Sequence, residues 1–180
     1  MADVKLLGLS GSLRAESANT MLVKEAARLF GPCSFGLGDL RMPLYDGDAE
    51  TADGIPDMVQ DLSDRIAAAD AVIISTPEYN KGPSGVLKNA LDWVSRTEGN
   101  PWAGKPLAVM SAAAGRAGGE RAQMVLRGFM VPFRPRILQG PEIHLADCTN
   151  QFDDNGHLTG EVYRRELTTL MQALAEEVAR

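Results

Sequence analysis

The stretch from Leu6 to Thr20, LLGLSGSLRAESANT, constrains this chain more than any other. Val4 to Leu9 is apolar and reads as a strand. It runs into a small polar loop, and the loop opens a helix with apolar positions at Leu22, Val23, Ala26, Ala27, Leu29 and Phe30. A strand, a hydroxyl-rich loop and a helix N-terminus together make an anion site, because free backbone N–H groups point outward there and the helix dipole favours negative charge. Ser10, Ser12, Ser17 and Thr20 add hydroxyls, Asn19 an amide and Arg14 a fixed positive fork. The simplest ligand for such a set is a phosphate monoester. The stretch is neither a P-loop, which needs Lys and then Ser or Thr after its second Gly, nor a dinucleotide loop, for which Gly8 and Gly11 stand too far apart. An ordinary turn before a Ser17-capped helix would read the same way from this stretch alone.

The rest of the chain repeats the motif of strand, loop and helix. Gly31-Pro32 stops the first helix, and Cys33 to Leu40 reads as a weak strand. Met42 to Asp46 is extended, Asp46 to Gly54 reads as an acidic loop, and Pro56 opens a helix with Ile55, Met58, Val59, Leu62 and Ile66 on one stripe. Ala71 to Thr76 is apolar without alternation, as a central parallel strand covered on both faces should be. A Pro/Gly-rich loop from Pro77 to Gly85 follows, then a helix with Val86, Leu87, Ala90, Leu91 and Val94 inward. Pro106 to Met110 is a fourth strand, followed by the small-residue loop Ser111 to Gly119 and a helix carrying Ala122, Val125, Leu126, Phe129 and Met130. Arg136-Ile137-Leu138 and Ile143-His144-Leu145 are short strand pieces split by Gly140-Pro141. Asp153 to Gly156 is a turn, and a last helix from about Gly160 buries Leu167, Leu170, Met171, Leu174 and Val178. Five alternations of strand and helix mean an α/β chain with a parallel sheet and helices on both faces. Ligands in such folds bind beyond the carboxyl ends of the strands. The three loops rich in Gly, Ser and Pro all follow strands, so they converge on that one edge.

Length and charge narrow the alternatives. The 180 residues are enough for one domain, 1–180, with its own core. A net charge of -6 argues against nucleic acid as a partner. No apolar run approaches the roughly 20 residues of a membrane span. Cys33 and Cys148 form no C-x-x-C and read as reduced thiols in the interior. No charged-then-apolar leader precedes the first strand, so a cytoplasmic location is expected.

With a phosphate at the first loop, the other two loops must receive the rest of the ligand. The second offers Tyr79 as a flat surface, Asn80 as an amide, and peptide groups held extended by Pro77 and Pro83. The third is nearly bare of side chains, so its backbone can approach a planar ring closely. A planar polar heterocycle on a phosphate tether fits, and flavin mononucleotide (FMN) is the obvious candidate. Tyr79 as surface packing and Pro83 as a helix-start residue remain the plain alternative.

Gly11-Ser12-Leu13-Arg14, Ser17-x-Asn19, Thr76-Pro77-Glu78-Tyr79-Asn80 and Pro83-Ser84-Gly85-x-Leu87-Lys88-Asn89-Ala90-x-Asp92-Trp93 resemble the NAD(P)H-dependent FMN reductases, a family that includes quinone, chromate and azo-dye reductases. The similarity runs from the first strand to about Leu145, with a family-like Phe152-Asp153-x-x-Gly156 turn beyond. The resemblance implies a flavodoxin-like fold, a three-layer sandwich around a five-stranded parallel sheet of order 2-1-3-4-5. It implies that Ser10, Ser12, Arg14, Ser17 and Asn19 hold the FMN phosphate, and that Pro77, Glu78, Tyr79 and Asn80 line the ring and ribityl side. Leu13, Thr20, Ser111 and Gly115 complete the expected lining. Relatives often carry further Ser or Thr where this chain has Ala112-Ala113-Ala114, so Ser111 and backbone N–H groups must serve the ring there. The implied reaction takes hydride from NADPH or NADH and passes two electrons, by a ping-pong mechanism, to a small acceptor such as a quinone, chromate, an azo compound or free flavin. A homodimer or homotetramer is implied as well.

Several other residues are weighed and set aside. His144 and His157 sit beside no Cys or second His, Asp153, Asp154 and Asn155 lack EF-hand spacing, and no metal site is expected. Ser75, Ser84 and Ser111 lack a nucleophile-elbow setting. Glu78 is expected to place its loop rather than move a proton, because hydride transfer between stacked rings requires no base, and no catalytic residue is expected. Arg116 either meets a nicotinamide nucleotide phosphate or is a solvated loop arginine. Trp93 lies off the inward stripe of its helix and belongs either to sheet-edge packing or to a subunit interface. Two other functions compete with the enzyme: a flavodoxin-type electron carrier, and a flavin-free domain that binds a phosphate ligand.

Overall fold

Residues 4–180 are described by a computed structural model. The sheet is built around Ala71–Thr76 (β3), whose every position is buried. Its neighbours are Lys5–Ser10 (β1) on one side and Pro106–Ala112 (β4) on the other, all parallel. Ser34–Gly38 (β2) pairs with β1 at one edge. At the other edge the fifth position is shared by two short strands, Arg136–Ile137 (β5) against Pro106–Leu107 and Ile143–Leu145 (β6) against Met110–Ala112. The order is 2-1-3-4-5, and the fold is the flavodoxin-like α/β sandwich expected from the sequence.

Strand side chains alternate between two cores, as the two-residue period of a strand requires. Leu6, Ala71, Ile73, Ala108 and Met110 face the layer formed by Ala18–Phe30 (α1) and Glu161–Val178 (α6). Leu7, Leu9, Val72, Ile74, Leu107 and Val109 face the layer of Asp57–Ala68 (α3), Gly85–Val94 (α4) and Glu120–Met130 (α5). Among the described residues no helix is long and apolar enough to cross a membrane.

Four local expectations are corrected. The acidic stretch 47–53 is a helix, Gly47–Asp53 (α2), not a loop. Asp46 caps it by accepting the Asp48 N–H, and Gly54 ends it at φ 81. It buries no residue, so it carries no apolar stripe to announce it. On α3, Met58 is half exposed, and the buried stripe is Val59, Leu62 and Ile66. Cys33 is only half-buried, whereas Cys148 is buried. Trp93 is buried within its own chain: its Nε1 donates to the Pro43 carbonyl (2.8 Å) and its ring meets Tyr45 edge-on at 5.0 Å. Asn89 helps, accepting from Tyr45 N (2.8 Å) and donating to the Pro43 carbonyl (2.8 Å). The Asn89 and Trp93 positions of α4 thus hold the segment 43–45 in place.

Candidate functional site

Register brings hydroxyls together at the carboxyl edge of the sheet. Ser10 of β1 lies beside Ser75 of β3, and Thr76 beside Ser111 of β4. The three loops leave from these positions. Gly11 donates to the Ser75 carbonyl (2.8 Å), which holds the start of the first loop against β3. A Cβ on Gly11 would stand 3.0–3.2 Å from Ser84, Pro77 and Thr76, so the first and second loops meet where only glycine fits without displacing a neighbour.

Within the first loop the polar groups divide into two sets. Thr20 donates its hydroxyl to Ser10 Oγ (2.8 Å), and Ser10 Oγ accepts from Ser12 N (3.3 Å) and approaches the Ser12 carbonyl (3.4 Å). These hydroxyls brace the loop. Ser17 caps α1, its Oγ accepting from Thr20 N (3.3 Å), and its own hydroxyl hydrogen has no acceptor among the described residues. The N–H groups of Ala18 and Asn19, in the first turn of α1, have no partner among the described residues. Asn19 is bolted to the sheet: Oδ1 accepts from Ser75 Oγ (2.7 Å) and Ala112 N (3.1 Å), while Nδ2 donates to the Ala112 carbonyl (3.0 Å). One Nδ2 hydrogen is left over. The Arg14 guanidinium is exposed and makes no hydrogen bond or ion pair among the described residues.

The second loop turns sharply at Tyr79-Asn80-Lys81-Gly82. Tyr79 N donates to the Gly82 carbonyl (2.9 Å) and Gly82 N to the Tyr79 carbonyl (3.1 Å). Asn80 and Lys81 both take left-handed backbone, φ 51 and 68, the pattern of the tightest hairpin turns. Tyr79 is left exposed. In the third loop the strand runs farther than expected, through Ala112, and this settles the fate of Ser111. Its hydroxyl donates to the Gly118 carbonyl (2.7 Å) and accepts from Gln123 Nε2 (3.1 Å), so it faces the interior and is not offered to a ligand. Gly118 (φ 59) lies against the His144 backbone, where a Cβ would clash, and Gly119 (φ 91) against Ser111.

One cleft of about 260 Å³ collects Ser12, Arg14, Ser17, Asn19, Pro77, Glu78 and Tyr79 from the predicted set. Ser10, Leu13 and Thr20 instead line a hollow of about 360 Å³ behind the first loop, toward Leu37 to Arg41, which Ser12 and Arg14 also touch. Asn80, Ser111 and Gly115 do not line the cleft. The bare stretch Ala112 to Ala114, expected to lie beside a planar ring, lines the cleft, whereas sequence reasoning missed Cys148 and Thr149 as walls. For Cys148 and Thr149 the available signal was position, since they follow the last strand onto the same edge. Burial pushes the Cys148 thiol up, with the Asp147 charge adding to the rise and a backbone hydrogen bond and the nearby Arg14 charge opposing it. The histidines stand apart: His144 is on β6, and His157 Nδ1 is 3.1 Å from the Glu25 carboxylate. Arg116 is exposed in the third loop, outside the cleft lining. A larger hollow of about 680 Å³, floored by Leu91, Trp102, Phe129 and Phe133, lies against α4 and α5 and shares no residue with the three loops.

The cleft therefore combines cationic and donor groups from Arg14, Ser17 and α1 with apolar walls from Pro77, Tyr79 and Ala112 to Ala114. A family model for NADPH-dependent FMN reductases matches residues 4–148. The chain is 42% identical over 174 residues to an NAD(P)H-dependent FMN reductase of Pseudomonas aeruginosa, covering 96% of this chain and 94% of that one. It is 36% identical over 173 residues to a quinone reductase of Escherichia coli, covering 88% and 92%. Among solved structures it is similar to the flavoenzyme NAD(P)H:(acceptor) oxidoreductase FerB of Paracoccus denitrificans, with a TM-score of 0.88, 32% identity and coverage of 98% and 97%. A flavodoxin from the domain Archaea shares the fold alone, at a TM-score of 0.66 and 10% identity.

Proposed function

This chain belongs to the NADPH-dependent FMN reductase family, and from that premise we propose that its cleft holds FMN, with the phosphate at the first loop and the ring between the second and third. The single observation that carries the placement is the Arg14 guanidinium, without a partner among the described residues and lining the same cleft as the start of a helix whose first N–H groups have none there either. The donor set fits a phosphate dianion: a fixed guanidinium fork, the spare Asn19 amide hydrogen, the Ser17 hydroxyl and the Ala18 and Asn19 N–H groups. At the other end, small side chains and Pro77 leave flat walls that a tricyclic ring can lie against. Ser10, Leu13 and Thr20 support this loop from behind, and Asn80 shapes the turn that presents Tyr79. Ser111 and Gly115 serve through the backbone course of the third loop.

The chain is an oxidoreductase of the NAD(P)H-dependent FMN and quinone reductase kind. When bound, FMN supplies the two-electron chemistry that links hydride from NAD(P)H to reduction of an acceptor. The protein's part is to bind, orient and exclude. Arg14 and α1 fix the phosphate end, and Tyr79 with Ala112 to Ala114 leaves room for one flat partner beside the ring. Donor and acceptor then alternate, which makes the kinetics ping-pong, with quinones, chromate, azo compounds or free flavin as acceptors. The partners are small molecules rather than nucleic acid or membrane, in the cytoplasm, and the whole chain acts as one domain. A homodimer or homotetramer is supported by Met124, Val125 and Val131, apolar yet exposed on and after α5. Trp93, being buried in its own chain, does not contribute to that argument.

Anaerobic titration tests the reading. The FMN-loaded protein should be fully bleached by one equivalent of NADPH or NADH and recoloured by quinone, with steady NAD(P)H consumption and parallel double-reciprocal plots. A protein that consumes no NAD(P)H unless a redox protein is added would instead support the flavodoxin-type carrier. One that binds phosphate esters but never flavin would support the flavin-free alternative.

A further inference from the structure

We infer that Glu78 is a positioning residue whose carboxylate clamps the second loop to the N-terminus of α5, and that this clamp sets the gap between the two walls of the cleft. The inference rests on the flavin reading above for its consequence, though the clamp itself is independent of any ligand. Helix α5 begins at Gly119, which offers no side chain, and no local residue caps it. Glu120 N donates to the nearby Ala117 carbonyl (3.1 Å), and the next two N–H groups are satisfied from another loop. Glu78 Oε2 accepts from Arg121 N (3.1 Å) and Ala122 N (3.2 Å), across more than forty residues of chain. A carboxylate there also lies at the favourable end of the helix dipole.

The third loop has little else to hold it toward the second. Ala112, Ala113, Ala114 and Gly115 carry no polar side chain that reaches across. Asn19 ties Ala112, at the start of the loop, to α1 and to Ser75 of β3, and the other ties run to the loop's own side of the sheet: Ser111 to Gly118, Gln123 to Ser111 and to the Ile143 carbonyl (2.7 Å), and Cys148 N to the Ala113 carbonyl (3.3 Å). Among the described residues, Glu78, itself a wall residue of the cleft, is the one side chain of the second loop that hydrogen-bonds to the far end of the third loop, where α5 starts. Ring placement therefore depends on Glu78, while phosphate capture at Arg14 does not.

The test compares Glu78→Ala and Glu78→Gln with the wild type. In the flavin-free protein, amide exchange at Arg121 and Ala122 should rise about 10-fold or more in Glu78→Ala and stay within about 3-fold in Glu78→Gln, whose amide oxygen accepts the same two bonds. In the loaded protein, Glu78→Ala should lower kcat about 10-fold or more, change the FMN Kd by less than about 5-fold, and lower the fluorescence anisotropy of residual flavin emission. Glu78→Gln should recover most of kcat. Unchanged exchange at Arg121 and Ala122 in Glu78→Ala would overturn the clamp. Loss of kcat in Glu78→Gln equal to that in Glu78→Ala would overturn positioning in favour of proton transfer. If the wild type binds no FMN, the functional reading fails, and the exchange experiment still decides the clamp.

Discussion

The first and third loops face each other across one cleft and are built on opposite plans. The first, from Ser10 to Thr20, keeps polar groups in reserve: among the described residues Arg14 is unpaired, Ser17 retains a hydroxyl hydrogen, and Asn19 is fixed to the sheet with one amide hydrogen to spare. The third, from Ser111 to Gly119, spends its one hydroxyl inside the protein and shows the cleft only alanine. One wall offers charge and hydrogen-bond donors, and the other offers only shape. Losing a side chain from the first should cost ligand affinity, whereas adding one to the third should disturb the fold.

The largest effect is expected from Gly118→Ala. The new Cβ would run into the His144 backbone at φ 59, where a side chain is strained in any case. Strain and overpacking together should remove about 3 kcal/mol of stability, read by denaturant unfolding. A variant as stable as the wild type would show the third loop to be loose and the contrast false. Next comes Arg14→Ala. It should weaken FMN binding by about 1.5–3 kcal/mol, the range for hydrogen bonds to a charged group, and leave apoprotein stability within about 0.5 kcal/mol. Ser17→Ala should cost about 1 kcal/mol in both binding and stability, because the same hydroxyl caps α1. Equal losses in both measurements for Arg14→Ala and Ser17→Ala would erase the distinction between reserve and brace.

The smallest effect concerns α1 behind the first loop. Burial by itself raises the Glu25 carboxyl pKa, but bonds from Arg28 and His157, the Arg28 charge and the Leu158 N–H hold it below its ordinary value. Its folded pKa thus lies below its unfolded one. The stability it contributes is complete above the unfolded value and is lost as pH falls through the lowered folded value. Unfolding between about pH 5 and pH 3 should show a decline that Glu25→Gln flattens. The opposite slope would contradict the assignment.

What could be read in the sequence follows the same division. Strand β3 was legible because burial on both faces leaves an unbroken apolar run, and α1 because Ser17 caps it ahead of a clear apolar stripe. Arg14 and Ser17 were legible as cleft-lining residues because their place in the loop before α1 is set by the adjacent sequence. Ser111 misled because its direction depends on β4 continuing to Ala112 and on Gln123 twelve residues later. The bareness of Ala112 to Ala114 was itself legible as a surface for close approach, whereas Cys148 escaped notice as a wall because only the fold brings it to the cleft. Helix α2 was missed although both of its caps, Asp46 and Gly54, are plain in the sequence, because nothing on it is buried. Trp93 needed its partner segment 43–45, which only the fold brings to α4.

The central claim, that the first loop captures a phosphate on a flavin, is tested most directly by comparing FMN with riboflavin, which lacks the phosphate. Fluorescence titration of the wild type should give FMN binding at least about 100-fold tighter than riboflavin, and Arg14→Ala should close most of that gap by weakening FMN alone. Equal affinity of the wild type for FMN and riboflavin, or a gap that Arg14→Ala leaves intact, would contradict it.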